Sequence, residues 1–176
     1  MELRRRMGRA SVDPLPAFDV ATFLEVTVLS PTDINGVPEV DLHRLLNDGH
    51  QEWSGITLRL SDWHLVVVNT AQSPRRQNSV LMHELAHIIL GHELPSGTIS
   101  GEGHFIPANF NQDQEDEAAW FGATLLLPRP ALLWMRRRRM TDDQAASHFG
   151  VSPDLLTWRI RMTRIDFQLS VATRNL

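Results

Sequence analysis

The chain has 176 residues, 42% hydrophobic and 22% charged, with a net charge of −4 and no cysteine. That length and balance suit one domain with a sizeable core and exclude a collagenous, disordered or disulfide-stapled chain. The acidic net charge weighs against a dedicated nucleic-acid binder, the apolar runs are far too short to span a membrane, and the absence of thiols leaves any metal to His and carboxylate.

Residues 1–14 are charged and small and show no periodicity, so they read as a disordered basic tail. Arg4, Arg5, Arg6 and Arg9 would be solvated there. No apolar stretch follows them, which excludes a secretory signal, and the cytoplasm is the expected compartment. A short helix is predicted from Ala17 to Leu24 and a strand over Glu25–Leu29, rich in Val and Thr. Pro31–Pro38 is a turn region around Asn35-Gly36, and Val40–Leu46 a short helix. Gly55–Leu60 and His64–Asn69 read as a hairpin, followed by a loop over Ala71–Arg76.

The run Val80–His92 reads VLMHELAHIILGH. Its helix is predicted from Asn78 to Leu90, stopped by Gly91, and is apolar over much of its circumference, hence buried. His83 and His87 lie four apart and share a face, where two imidazoles can hold one ion. Glu84 follows the first histidine, where a carboxylate can take a proton from a water at that ion. Pro95–Pro107 reads as a loop. Helices follow over Gln112–Leu127, ended by Pro128, and over Pro130–Arg138. Thr141, with Gln144 three residues on, opens another helix as a capping box, ending at Phe149-Gly150. Val151-Ser152-Pro153 opens the last, to about Thr163.

A third metal ligand has to come from downstream. His92 projects about 140° around the helix from His87 and should face away, flanking the helix end. Glu102 and His104 fall in the loop, a poor place for a rigid ligand. Glu115 shares a face with Ala118, Ala119 and Gly122, small residues that let this helix approach the motif helix closely. Glu117 lies on another face, with Trp120 and Phe121, and is the alternative. Asp113 and Asp116 read as charges that stabilise the helix N-terminus.

HELAHIILGH together with EDEAAWFGATLLLP (Glu115–Pro128) resembles the ImmA/IrrE-type zinc metallopeptidases of bacteria and their mobile elements. The stretches Trp63–His87, Thr141–Thr163 and Phe18–Leu29 also look like that family, so the resemblance covers roughly residues 17–165. It implies an α+β, zincin-like fold: a small N-terminal β-sheet with helices, a buried HExxH helix, and a helical C-terminal part containing a helix-turn-helix-like pair. The expected division is a metallopeptidase domain over 15–139 and a helical extension over 140–176. The resemblance implies Zn2+ held by His83, His87 and Glu115, with Glu84 as the catalytic base. Ala119 departs from the polar residue many relatives carry. The implied partner is a protein substrate, a helix-turn-helix transcriptional repressor cleaved in a stress-response or mobile-element switch.

Two features resist that reading. The chain has no tyrosine, so the oxyanion needs another electrophile, for which His104 is the weak candidate. Residues 144–160 also have a helix-turn-helix look, with Arg159, Arg161 and Arg164 available for DNA. The rival reading is therefore a DNA- or protein-binding regulator with a structural or inactive zinc site. Intact Glu84, and the lack of a fourth protein ligand, favour the hydrolase.

Overall fold

A computed structural model describes residues 2–60, 63–93, 97–99, 105–107 and 111–174. Three strands form the main sheet: β1 (Thr27–Leu29), β2 (Gly55–Leu60) and β3 (Trp63–Val68). Their order is β1-β3-β2, with β3 parallel to β1 and antiparallel to β2. β3 is central because its run Leu65–Val68 is continuously apolar and buried. The β2–β3 register pairs Leu60 with Trp63 and Thr57 with Val66, in line with the expected hairpin. A second pair, β4 (Gly97–Ile99) and β5 (Phe105–Pro107), is antiparallel, so these parts of the expected loop are strands.

Around the sheet lie α1 (Glu2–Arg6), α2 (Ala17–Phe23), α3 (Glu39–His43), α4 (Pro74–Leu90), α5 (Gln112–Leu126), α6 (Arg129–Arg137), α7 (Asp142–Phe149), α8 (Pro153–Thr163) and α9 (Ile165–Arg174). The result is α+β, as expected. The motif helix α4 starts four residues earlier than its apolar pattern indicates. Ser73 accepts from the Arg76 N–H as N-cap, and Pro74 occupies the first turn, where its missing N–H costs nothing. Gly91 ends it in the left-handed region at φ 70°. The Thr141–Gln144 capping box is present at α7.

One apolar core joins these elements. Val66 and Val68 of β3, Leu81, Met82 and Leu85 of α4, and Leu125 and Leu126 of α5 belong to it. So do Ala145, Phe149, Val151, Leu156 and Ile165 of the C-terminal helices. Polar ties fix α4 within it. Asn78 accepts from the Ala17 N–H (2.6 Å), an orphan donor at the start of α2, and donates to the Gly150 carbonyl (2.8 Å). Ser79 accepts from the Ser152 N–H (2.9 Å).

The N-terminal segment differs from the expected disordered tail. Residues 2–6 are helical, and Arg4 is 1% exposed. Its guanidinium donates to the carbonyls of Leu125 (2.8 Å), Leu126 (3.3 Å), Ala10 (2.7 Å) and Asp13 (3.0 Å). Two of those carbonyls are C-terminal acceptors of α5, which a cation suits. Arg136 bridges Asp142 (2.5 Å) and Asp166 (2.7 Å), tying α6 to α7 and α9.

Candidate metal centre

The chemistry-bearing residues sit where α4 and α5 cross. α5 lies close against α4 at Gly122, where an added Cβ would stand 3.0 Å from the Met82 carbonyl oxygen and 3.4 Å from His83 Cα. That proximity, with Ala118 fully buried one turn earlier, aims Glu115 at the histidine face of α4. The structure thus brings His83, His87 and Glu115 together. His83 Nε2 lies 3.1 Å from Glu115 Oε2, His87 Nε2 3.6 Å from Glu115 Oε1, and the two Nε2 atoms 3.2 Å apart.

These separations test whether an ion fits. Four ligands at ~2.0–2.1 Å in a tetrahedron stand about 3.3–3.4 Å from one another. The two Nε2 atoms stand near that edge, and each lies 3.1–3.6 Å from one of the two Glu115 oxygens, so the three residues fit a metal ion, with the carboxylate turning to present one oxygen. Two histidines and one carboxylate, with a fourth position left over, form the donor set of an open zinc-type site. Burial and the neighbouring His83 push the His87 pKa down, with Glu115 opposing. The neutral imidazole that ligation needs is therefore favoured.

Glu84 is on the same stretch of α4 but outside the cluster of three. Thr57 of β2, 2% exposed, donates its hydroxyl to Glu84 Oε2 at 2.6 Å. Gly55, two residues earlier on the same strand face, leaves room for this contact: a Cβ there would lie 2.8 Å from Val80 Cγ1 and 3.4 Å from Glu84 Cγ. Burial raises the Glu84 pKa. The Thr57 hydrogen bond and His83 pull it down, and Glu115 adds to the rise. Sequence reasoning missed Thr57. The signal was the alternation of Gly55 and Thr57 along β2, two small residues on the face turned to α4.

His92 departs from expectation. It does not face away: its Nδ1 lies 3.1 Å from His87 Nδ1 and its Nε2 3.3 Å from Glu117 Oε2. The helical projection fails because Gly91 reverses the chain, and the His92 N–H closes back on the His87 carbonyl at 3.0 Å. Glu117, the alternative ligand, meets His92 and is not among the three clustered residues. Glu102 and His104 lie outside the described residues.

A cleft of about 490 Å³ opens beside His83 and Glu84. Ser54 and Gly55 form one side, Val80 of α4 with Ala119 and Ala123 of α5 another, and Asp154, Leu155 and Trp158 of α8 close it. Arg76 stands at its rim. Ala119, where a polar side chain was the expectation for relatives, is thus part of the cleft wall. Arg159, which the rival reading would place on a DNA-facing surface, is 4% exposed. Its Nε donates to the Leu127 carbonyl (3.2 Å), and its guanidinium lies over the Trp120 ring at 4.8 Å. Trp120 in turn meets Trp158 edge-on at 5.8 Å. Arg161 and Arg164 are exposed.

A small sheet, a helix offering two histidines and a glutamate, and a second helix adding a carboxylate are the parts of a zincin-like metallopeptidase. The chain belongs to the peptidase family whose model, Peptidase_M78, is described as the IrrE N-terminal-like domain; it matches residues 41–161. No curated protein and no solved structure matches the chain. Among the described residues no helix is long and apolar enough to cross a membrane.

Proposed function

We propose that the chain is a zinc-dependent endopeptidase that cleaves a protein substrate, a helix-turn-helix transcriptional repressor, in a stress-response or mobile-element switch. The observation that carries the hydrolase part is the cluster of His83, His87 and Glu115 beside a half-buried glutamate that is free of that set. A structural site would use its fourth position for a protein ligand and would need no base. The repressor as substrate rests on the resemblance to the family.

His83, His87 and Glu115 would hold the ion, which when bound supplies Lewis-acid polarisation of the water and the scissile carbonyl. Glu84 takes the proton of the attacking water and delivers it to the leaving amine. Thr57 fixes one carboxylate oxygen and leaves the other for that exchange. Burial of Glu84 raises its basicity toward what a base needs near neutrality. The apolar cleft wall of Val80, Ala119, Leu155 and Trp158 receives a substrate side chain and excludes water. In this reading α8 completes the substrate cleft, and burial of Arg159 removes one of the three arginines that a DNA contact would use.

The experiment is elemental analysis of wild type, Glu84→Gln, Glu115→Gln and Glu117→Gln, paired with cleavage of a candidate repressor. The expected result is one zinc per chain in wild type, Glu84→Gln and Glu117→Gln, loss of zinc in Glu115→Gln, and cleavage abolished in Glu84→Gln. A wild type that stays empty when zinc is supplied overturns the reading.

A further inference from the structure

The geometry points to a second pair of residues that governs how the ion is held: His92 and Glu117 form a hydrogen-bonded relay that fixes the tautomer of His87. This rests on the metal-site reading above. His87 turns Nε2 toward His83 and Glu115, so an ion held there meets that nitrogen. Its other nitrogen, Nδ1, stands 3.1 Å from His92 Nδ1. Two lone pairs repel at that distance, so one of the two nitrogens carries a proton.

Only one assignment satisfies every contact. Ligation through Nε2 puts the His87 proton on Nδ1, which makes His92 Nδ1 the acceptor. His92 then carries its own proton on Nε2, where Glu117 Oε2 accepts at 3.3 Å. In the reverse order His87 would carry its proton on Nε2 and lose the lone pair for the ion. His92 would then turn a bare nitrogen toward the Glu117 carboxylate. The fold holds this relay firmly at its inner end. The His92 side chain is 6% exposed, and its backbone is bonded to the same residue that its ring serves. The outer end is a 63% exposed carboxylate. A bond at so exposed a carboxylate adds little stability; its effect is to select the proton position on His92. His92 and Glu117 are thus positioning residues acting through His87.

The test is zinc affinity of the full chain by chelator competition, with the metal-free thermal midpoint of each variant as the folding control. His92→Phe keeps the ring shape and loses the acceptor, and should weaken zinc binding roughly 10- to 100-fold. His92→Asn places an acceptor near the Nδ1 position and should recover most of that loss. Glu117→Gln, which keeps an acceptor, should bind as wild type, and Glu117→Ala less tightly. Ring-nitrogen NMR of zinc-loaded wild type needs no variant to fold. It should show His87 protonated at Nδ1 and His92 at Nε2. A proton on Nδ1 of His92, or wild-type affinity in His92→Phe, overturns the relay alone. A wild type without zinc overturns both the relay and the metal reading.

Discussion

Replacing Gly122 by alanine perturbs the one dimension on which the three-ligand cluster depends, the spacing of α4 and α5. In an ordinary helix interior this change stabilises by ~1 kcal/mol, because alanine loses less backbone entropy. Here the new Cβ meets the Met82 carbonyl oxygen at 3.0 Å, its carbon at 3.3 Å and His83 Cα at 3.4 Å. These are backbone atoms, so no rotamer change relieves the contact, and α5 must move out by a few tenths of an ångström. Overpacking of this kind costs about 1–3 kcal/mol. Set against the propensity gain, the net is a destabilisation of about 1 kcal/mol, or ~2–4 °C in the thermal midpoint at this chain length. Glu115 lies two turns along the same face and moves with the helix, so zinc affinity should fall as well. Differential scanning calorimetry of the metal-free chain and chelator competition measure the two effects. Gly122→Val should enlarge both. A Gly122→Ala protein with a raised midpoint and unchanged zinc affinity would refute the reasoning that this contact sets the helix spacing.

Glu84 gives a pH signature in the metal-free protein. Its folded pKa stands above the ordinary 4.5 because burial disfavours the charge, so its stabilising contribution is greatest below 4.5 and is lost as pH rises through the folded value. Wild type should therefore lose stability relative to Glu84→Gln across that window; parallel pH–stability curves would contradict the assignment. Arg4→Ala leaves the buried carbonyls of Leu125 and Leu126 without their donor, at ~1–3 kcal/mol each. Urea unfolding should show a loss of about 3 kcal/mol or more, and a loss within 0.5 kcal/mol, the ~0.5 kcal/mol range of an ordinary surface site, would return the segment to a solvated tail. Trp158→Ala removes an aromatic wall of the cleft and should raise KM about tenfold with a smaller change in kcat, the mark of lost ground-state binding. A pure kcat effect would remove Trp158 from substrate contact.

The motif helix was legible because ligand chemistry and helix geometry act within five residues: His83 and His87 share a face whatever surrounds them. Glu115 was legible for a related reason, since the small residues Ala118 and Gly122 declare the face that approaches a neighbour. What escaped were features set by distant parts of the chain. Arg4 looks like a solvated charge until Leu125, 121 residues away, supplies a carbonyl. Thr57 reaches Glu84 only because β2 runs beside α4. His92 was misplaced by extending helical angles past a left-handed glycine, and α4's start by reading Ala71–Arg76 as a loop when Ser73 caps the helix and makes Pro74 a first-turn residue. Helix α9 was missed altogether; Arg164, at φ 50°, breaks the pattern immediately before it.

Those distant contacts share a target. Two histidines, two glutamates and a third histidine lie close together, and in the metal-free state burial disfavours the charged forms of Glu84 and His87. The residues that hold α4 and α5 in place lie away from that cluster. Asn78 and Ser79 tie the start of α4 to α2 and to the α7–α8 turn. Arg4 and Arg159 take the carbonyls of Leu125, Leu126 and Leu127 at the far end of α5. Glu115 stands at the opposite end of that helix, so its distance from the histidines is set by how α5 is anchored some three turns away. A bound ion adds stability only to the arrangement that presents all three ligands, about 2.7 kcal/mol at a hundredfold excess over its dissociation constant. An anchor mutation such as Arg4→Ala should therefore weaken zinc binding while touching no ligand, and saturating zinc should restore part of the lost stability.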